Sequence, residues 1–159
     1  MSRLRIDIAD LLAHPGARRP VALRQQLDGL EGTSARVPST EPIDLDLVLE
    51  RIPDGVVVRG RVTTVWAAEC SVCLAELERP LELSVSELFE TEPVEGETYP
   101  IEAHEIDLEQ LLRDSVMLEL PLAPTCMDAG RREHANPPPQ VDAPDAPDPR
   151  WAALSELEL

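Results

Sequence analysis

The chain has 159 residues, of which 43% are hydrophobic and 3% aromatic, and 31 acidic against 14 basic residues give a formal net charge of −17. This length suits one domain with a modest aliphatic core. The negative charge disfavours broad contact with nucleic-acid phosphates, and the few aromatic rings argue against a base-stacking platform. No stretch resembles a signal peptide or a membrane-spanning helix, so we expect a cytoplasmic protein with reduced thiols.

The charge is unevenly distributed. Residues 1–36 hold six arginines and four acids, whereas residues 76–110 hold twelve acids and a single base, Arg79. We interpret the acidic stretch as a solvated face that could dock a basic protein. Arg18 and Arg19 lie in the basic part and are candidates for partner binding, where contact with an RNA phosphate would begin; the alternative is that they neutralise nearby acids.

The first half of the chain is dominated by strand patterns. Residues 4–12 predict a strand that turns into a short helix, and residues 18–30 predict a strand or helix of uncertain type. Apolar and polar residues alternate from Ile43, a turn follows at Pro53-Asp54-Gly55, and a run rich in β-branched residues follows from Val56 to Trp66. These two segments predict a hairpin, and alternation over residues 81–86 predicts a third strand.

The second half changes character. Residues 90–105 predict an acidic surface loop, after which Asp107, with Gln110 three residues on, begins a helix that Pro121 ends near Glu119. Six prolines in residues 136–149 predict a flexible linker. A short helix carrying Trp151 and Leu154 is expected over residues 150–159; these two side chains are candidate partner-binding residues, because they either pack on the domain or dock in a partner's groove.

Together these patterns predict an α+β fold. We expect a single domain over residues 1–135, built on an antiparallel sheet with one or two covering helices. The cysteine pair Cys70-Ser71-Val72-Cys73 falls between the second and third strands, where a metal-binding knuckle can form.

Three cysteines and one histidine make the candidate metal site. Cys126 follows the helix, where it could fold back onto Cys70 and Cys73, and His134 is the nearest candidate for a fourth ligand. Two interpretations stay open for these residues: a structural zinc site, and the remnant of one in which the thiols are simply buried. A redox role for the pair is disfavoured because the sequence around it lacks the βαβ context of thiol oxidoreductases.

The order of these motifs resembles that of the YceD family, which is associated with accumulation of large-subunit ribosomal RNA. The resemblance rests on Cys70-Ser71-Val72-Cys73-Leu74, on the helix that runs into Leu120-Pro121-Leu122-Ala123-Pro124-Thr125-Cys126, and on Asp148 to Leu154. Many members carry further cysteines after the position of Cys126, whereas residues 127–134 of this chain contain none.

The resemblance implies a non-catalytic factor that supports accumulation or processing of large-subunit ribosomal RNA and ribosome assembly. The expected partner is a basic ribosomal protein, ribosomal RNA or the pre-ribosome, with no membrane and no small-molecule substrate. Two alternatives remain: a zinc-knuckle RNA-binding protein that acts alone, and a small thiol oxidoreductase.

Overall fold

The computed structural model describes residues 4–139 and Arg150. Within these residues the elements are, in order, β1 (Arg5–Asp7), α1 (Ala9–Leu12), β2 (Arg18–Gln25), β3 (Ala35–Arg36), β4 (Ile43–Ile52), β5 (Gly55–Glu69), β6 (Glu76–Glu90), β7 (Tyr99–Glu102), β8 (Glu105–Asp107) and α2 (Leu108–Glu119). All of these strands belong to one curled sheet with the order β1-β8-β7-β6-β5-β4-β2, and β3 pairs with the end of β5.

Strands β4, β5 and β6 form the centre of the sheet as an antiparallel meander. The predicted hairpin is confirmed: Ile52 pairs with Gly55 across a two-residue turn. The alternation in β4 is also confirmed, because Ile43 and Leu47 are fully buried while Asp46 on the opposite face is exposed. The third strand is far longer than residues 81–86, since β6 extends over fifteen residues.

Gly60 lies where β5 passes closest to β4. A Cβ atom at this position would collide with the carbonyl oxygen of Asp46, so the backbones can approach this closely only because the residue has no side chain. The glycine stands near the middle of β5, opposite Leu47 on one side and Val85 on the other. It therefore permits the close approach of the two central strands.

Helix α2 covers one part of the sheet, packing against β6 and β1. Its start is confirmed, because the Asp107 carboxylate accepts a hydrogen bond of 2.9 Å from the backbone N–H of Glu109. Gln110 does not complete a capping box; it donates to Asp114 instead. The helix ends at Glu119 as predicted. Its inner face is fully buried and consists of Leu108, Leu111, Leu112 and Val116.

The predicted α+β class with an antiparallel sheet is wrong. About 45% of the described residues are in strands and 12% in helices. The sheet is curled into a half-barrel, and it is mixed because β6 and β7 pair in parallel. The loop predicted for residues 90–105 contains β7 and begins β8, whose glutamates point outward while Ile101 and Ile106 are buried. The high acid content hid two short strands that have one buried residue each.

The predicted linker over residues 136–149 lies mainly outside the described residues, and so do Trp151 and Leu154 of the predicted terminal helix. The division of the chain into a domain, a linker and a terminal helix therefore stays a prediction. Neither of the described helices is long and apolar enough to cross a membrane.

Candidate metal centre

The turn between β5 and β6 presents the cysteine pair. Cys70 follows the last residue of β5, and its backbone N–H donates to the Ala75 carbonyl at 2.8 Å. The Leu74 N–H donates back to the Cys70 carbonyl at 2.9 Å, and Leu74 adopts a left-handed conformation with φ of 57°. This tight turn aims the thiol groups of Cys70 and Cys73 at the same point, as a metal-binding knuckle requires.

A second segment, residues 121–136, which we call the strap, crosses the knuckle and supplies Cys126 and His134. The Ser71 N–H donates to the Pro124 carbonyl at 2.8 Å, which attaches the strap to the knuckle. Asp128 closes a turn around Cys126, because its carboxylate accepts 2.7 Å hydrogen bonds from both the backbone N–H and the hydroxyl of Thr125. The strap thus has a defined path even though it contains no regular element.

Arginine side chains hold the strap against β6. Arg79 of β6 donates to the carbonyl of Asp128, and Arg131 of the strap donates to the carbonyl of Glu76 at 3.2 Å. At the end of the strap, the Asn136 side-chain amide lies 3.5 Å from the Cys73 carbonyl. Contacts on both sides therefore position the strap over the cysteine pair.

The structure brings the predicted ligands Cys70, Cys73, Cys126 and His134 into one cluster. One ligand atom from each residue lies within 4.8 Å of all the others. The Sγ atoms of Cys73 and Cys126 are 3.5 Å apart, and Cys70 Sγ is 3.4 Å from His134 Nδ1. In a tetrahedral zinc site, Zn–S bonds of about 2.3 Å and Zn–N bonds of about 2.0 Å place neighbouring ligand atoms about 3.5–3.8 Å apart.

The donor set and its surroundings fit a structural zinc site. Three thiol sulfurs and one imidazole nitrogen are a recognised zinc combination, with no open position for a substrate. Cys70 and Cys126 are fully buried, and Cys73 is 9% exposed. The centre would join the β5–β6 turn to the strap, so that a bound ion would stabilise the fold where no helix or strand does.

Backbone N–H groups around the sulfurs favour thiolates. The N–H of Asn136 is the main cause that lowers the pKa of Cys73 to about 6, against the opposing effect of burial. Burial acts to raise the pKa of Cys70, but N–H groups of Cys73 and Val72 lower it overall. A thiolate is the form that binds a metal, so the knuckle is prepared for a cation.

The other two ligands respond to this negative charge. The N–H of Ala135 acts to lower the pKa of Cys126, but burial and the neighbouring sulfurs of Cys73 and Cys70 raise it overall. Burial acts to lower the pKa of His134, whereas the same two sulfurs raise it. The sulfurs of Cys73 and Cys70 contribute to both shifts, and a divalent cation between the four side chains would be stabilised by the same thiolates.

The predicted partner-binding residues lie elsewhere. Arg18 forms an ion pair of 2.7 Å with Glu50, and Arg19 forms one of 2.7 Å with Asp10. Both arginines lie on β2, at the edge of the sheet, and carboxylates already engage them. Trp151 and Leu154 are outside the described residues, so no site is assigned to them.

Sequence reasoning missed the residues that shape the strap. The proline-rich composition places Asn136 in the linker, yet its backbone N–H and its side-chain amide both contact Cys73. Asp128 carries no ligand pattern of its own, although the spacing Thr125-x-x-Asp128 is typical of a side chain that closes a local turn. That spacing is the signal that could have located the second turn of the site.

Comparisons with known proteins identify one family model and several uncharacterized relatives. The family model described as "Large ribosomal RNA subunit accumulation protein YceD" matches residues 58–158. Uncharacterized proteins of Mycobacterium bovis and Mycobacterium tuberculosis are each 30% identical over 98% of this chain and 82% of their own length. An uncharacterized protein of Mycobacterium leprae is 31% identical over 76% of this chain and 59% of its own length. No solved structure matches.

Proposed function

Because the chain belongs to the YceD family of large ribosomal RNA subunit accumulation proteins, we propose that it is a non-catalytic factor that supports accumulation of large-subunit ribosomal RNA. We further propose that a Zn²⁺ ion held by Cys70, Cys73, Cys126 and His134 stabilises it, and that it acts in the cytoplasm. The family description supports the ribosomal role. The observation that carries the zinc proposal is the convergence of four ligand atoms within 4.8 Å.

A structural role for the ion explains why the cluster is closed. A catalytic zinc site keeps one position open for water or substrate, whereas four protein ligands leave none. The three thiols are buried, so a substrate disulfide would have little access to them. Reactive thiols also have a low pKa, but the pKa of Cys73, about 6, is explained here by hydrogen bonds from backbone N–H groups, first that of Asn136, which outweigh the opposing effect of burial.

The acidic surface supports a basic protein as the partner. The chain carries a net charge of −17, and twelve of its acids fall within residues 76–110. Such a surface attracts arginine- and lysine-rich chains, a class that includes many ribosomal proteins, and repels RNA phosphates. We therefore propose that the factor acts on ribosomal RNA through a protein that itself binds the RNA.

The experiment is deletion of the gene in its source organism, followed by measurement of the ratio of large-subunit to small-subunit ribosomal RNA. We expect the ratio to fall and the wild-type gene to restore it, whereas Cys73→Ser should restore it poorly because the protein is destabilised. The matched control is Leu122→Ser, which changes a strap side chain that is 83% exposed. An unchanged ratio in the deletion strain would refute the ribosomal role.

One observation favours a second candidate, a zinc-dependent RNA binder. A cleft of about 620 Å³ beside the knuckle is lined by one basic residue, Arg36, together with Ser71, Thr33 and the acidic Glu31 and Glu69. Arg36 and Arg132 form no ion pair with another described residue, unlike Arg18 and Arg19. This candidate requires the isolated protein to bind ribosomal RNA, with an affinity that Arg36→Gln lowers and Arg18→Gln does not.

A further inference from the structure

A groove of about 810 Å³ lies between the outer face of α2 and the segment that joins β6 to β7. Its position on β6 is marked by Glu87, eleven residues along the strand from Glu76. At roughly 3.3 Å per residue that separation is about 36 Å of strand. None of the four candidate metal ligands lines the groove.

The floor of the groove is rigid. The ring of Tyr99 stacks on that of buried Phe89, with centroids 5.1 Å apart. The Tyr99 hydroxyl donates to Asp114 Oδ2 at 2.9 Å, and the Gln110 amide donates to Asp114 Oδ1 at 2.8 Å. Two donors thus hold the Asp114 carboxylate in one orientation, and a partner would meet it already positioned.

The opposite wall is also ordered, although it contains no regular element. The N–H groups of Glu97 and Thr98 both donate to the Val94 carbonyl at 3.0 Å. The Thr98 hydroxyl accepts from the Val94 N–H and donates to a carboxylate oxygen of Glu90, both at 2.7 Å. These bonds close a tight turn that projects the carboxylates of Glu95 and Glu97 along the groove.

Exposed apolar side chains line the helix side. Leu118 is 86% exposed and Met117 is 38% exposed, although both lie on a helix whose opposite face is fully buried. The two side chains are adjacent and both line the groove, so together they give it an apolar patch of the kind found at protein contacts. An apolar side chain of a partner could therefore pack between this helix and the turn.

The charge of the groove specifies the occupant. Four carboxylates line it, from Glu87, Glu95, Glu97 and Asp114, and no basic residue does. Residues 140–159 cannot supply the complement, because they hold five acids and one arginine. An RNA strand would add phosphates to a surface that is already negative.

We propose that this groove binds an arginine- or lysine-rich polypeptide segment that also carries an apolar anchor residue. The cationic side chains pair with the four carboxylates, and the anchor packs against Met117 and Leu118. The proposal rests on the proposed function in one respect, because it identifies where the basic ribosomal protein would dock. The groove supplies both the negative charge and the apolar contact that such a segment needs.

The test is a binding titration of the full chain with a labelled synthetic peptide that contains arginines and leucines. Its counterpart with glutamate in place of arginine serves as the negative probe. The double change Glu95→Gln with Glu97→Gln should weaken binding about tenfold, which is the effect of roughly 0.7 kcal/mol for each partly solvated charge. The matched control, Glu69→Gln with Glu78→Gln, removes two exposed carboxylates at the metal end of β5 and β6 and should leave the affinity unchanged.

The apolar contact is tested by a second variant with its own matched control. Leu118→Ser should weaken binding several-fold, whereas Leu122→Ser, at a side chain that is 83% exposed but outside the groove, should not. Amide chemical shifts that move on titration should cluster at the groove. Equal weakening by the Glu69/Glu78 control, shifts spread over the sheet, binding of the acidic peptide, or no binding at all would overturn the proposal.

The outcomes separate this proposal from the proposed function. If the deletion strain keeps a normal ribosomal RNA ratio while the peptide binds in the groove, the ribosomal role fails and the groove remains. If the ratio falls but the Glu95/Glu97 variant binds the peptide as the wild type does, the groove proposal fails and the ribosomal role remains. Preference of the groove for an RNA hairpin over the basic peptide would also overturn the proposal.

Discussion

Removal of the proposed zinc ion should cost this protein a large part of its stability, and the structure allows the size of the loss to be worked out. A bound ion would link Cys73 to Cys126 across 53 residues of sequence. A cross-link that closes a loop of this length removes about 4 kcal/mol of chain entropy from the unfolded state at 25 °C. That amount is a substantial fraction of the roughly 5–15 kcal/mol by which a domain is usually stable.

Loss of this cross-link should shift thermal unfolding by an easily measured amount. A loss of about 4 kcal/mol should lower Tm by roughly 12–16 °C in a domain of this size. The assay compares calorimetric scans of protein loaded with one equivalent of Zn²⁺, the same protein stripped with a strong chelator, and the Cys126→Ser variant, with elemental analysis of each sample. The stripped wild type and Cys126→Ser should unfold at similar temperatures, well below the loaded protein.

The control for this experiment is Leu122→Ser, which lies four residues before Cys126 in the same strap. Its side chain is 83% exposed, so the variant should bind one zinc and unfold with the wild type. The reasoning is refuted if the wild type binds no zinc, or if stripping it leaves Tm unchanged. In either case the cysteines would be buried apolar groups that the strap packs against.

Three further predictions concern other parts of the molecule. Gly60→Ala should destabilise the protein by about 2 kcal/mol in a denaturant titration, because the new Cβ would meet the carbonyl oxygen of Asp46; an unchanged midpoint would show that the strands separate freely there. Arg18→Gln should cost at most about 1 kcal/mol in the same assay, since the Arg18 side chain is 68% exposed in its ion pair with Glu50, and a larger loss would contradict this. Tyr99 is the one tyrosine of the chain, and burial, together with Asp114, raises its pKa above the ordinary value of 10.0. Ultraviolet titration should therefore show ionisation of Tyr99 at higher pH in the folded than in the denatured protein, and Asp114→Asn should lower the pH at which the folded protein ionises. Stability should fall as the pH rises above about 10, because only the unfolded state then loses the proton. Identical titrations in both states would refute this.

The central strands could be predicted from the sequence because their apolar residues have a clean period of two. Residues 43–52 alternate so regularly that the buried face of β4 can be read directly. The short strands β7 and β8 could not, because each contributes only one buried residue, Ile101 or Ile106, within a run of glutamates. Their strand structure comes from pairing with β6 and β1, and a local window does not contain those neighbours.

The candidate site, too, is only partly predictable from the sequence. The spacing of Cys70 and Cys73 indicates a knuckle, and the tight turn between β5 and β6 provides it. The position of His134 beside Cys70 depends on the path of the strap, which backbone contacts to Ser71 and Glu76 determine. Such contacts join residues more than fifty positions apart and leave no periodic signal in the sequence.

The pairing of β1 with β8 also bears on how the chain folds during its synthesis. Ile6 pairs with Ile106, so an edge of the sheet forms between residues a hundred positions apart, whereas β4, β5 and β6 pair with their neighbours in sequence. On a translating ribosome the meander can form early, but the N-terminal strand must wait for residue 107 to emerge. At about 5–20 residues per second this delay is on the order of 5–20 s. Throughout it, the apolar side chains of Leu4 and Ile8, which are buried in the finished protein, lack their final partners and are available to a chaperone.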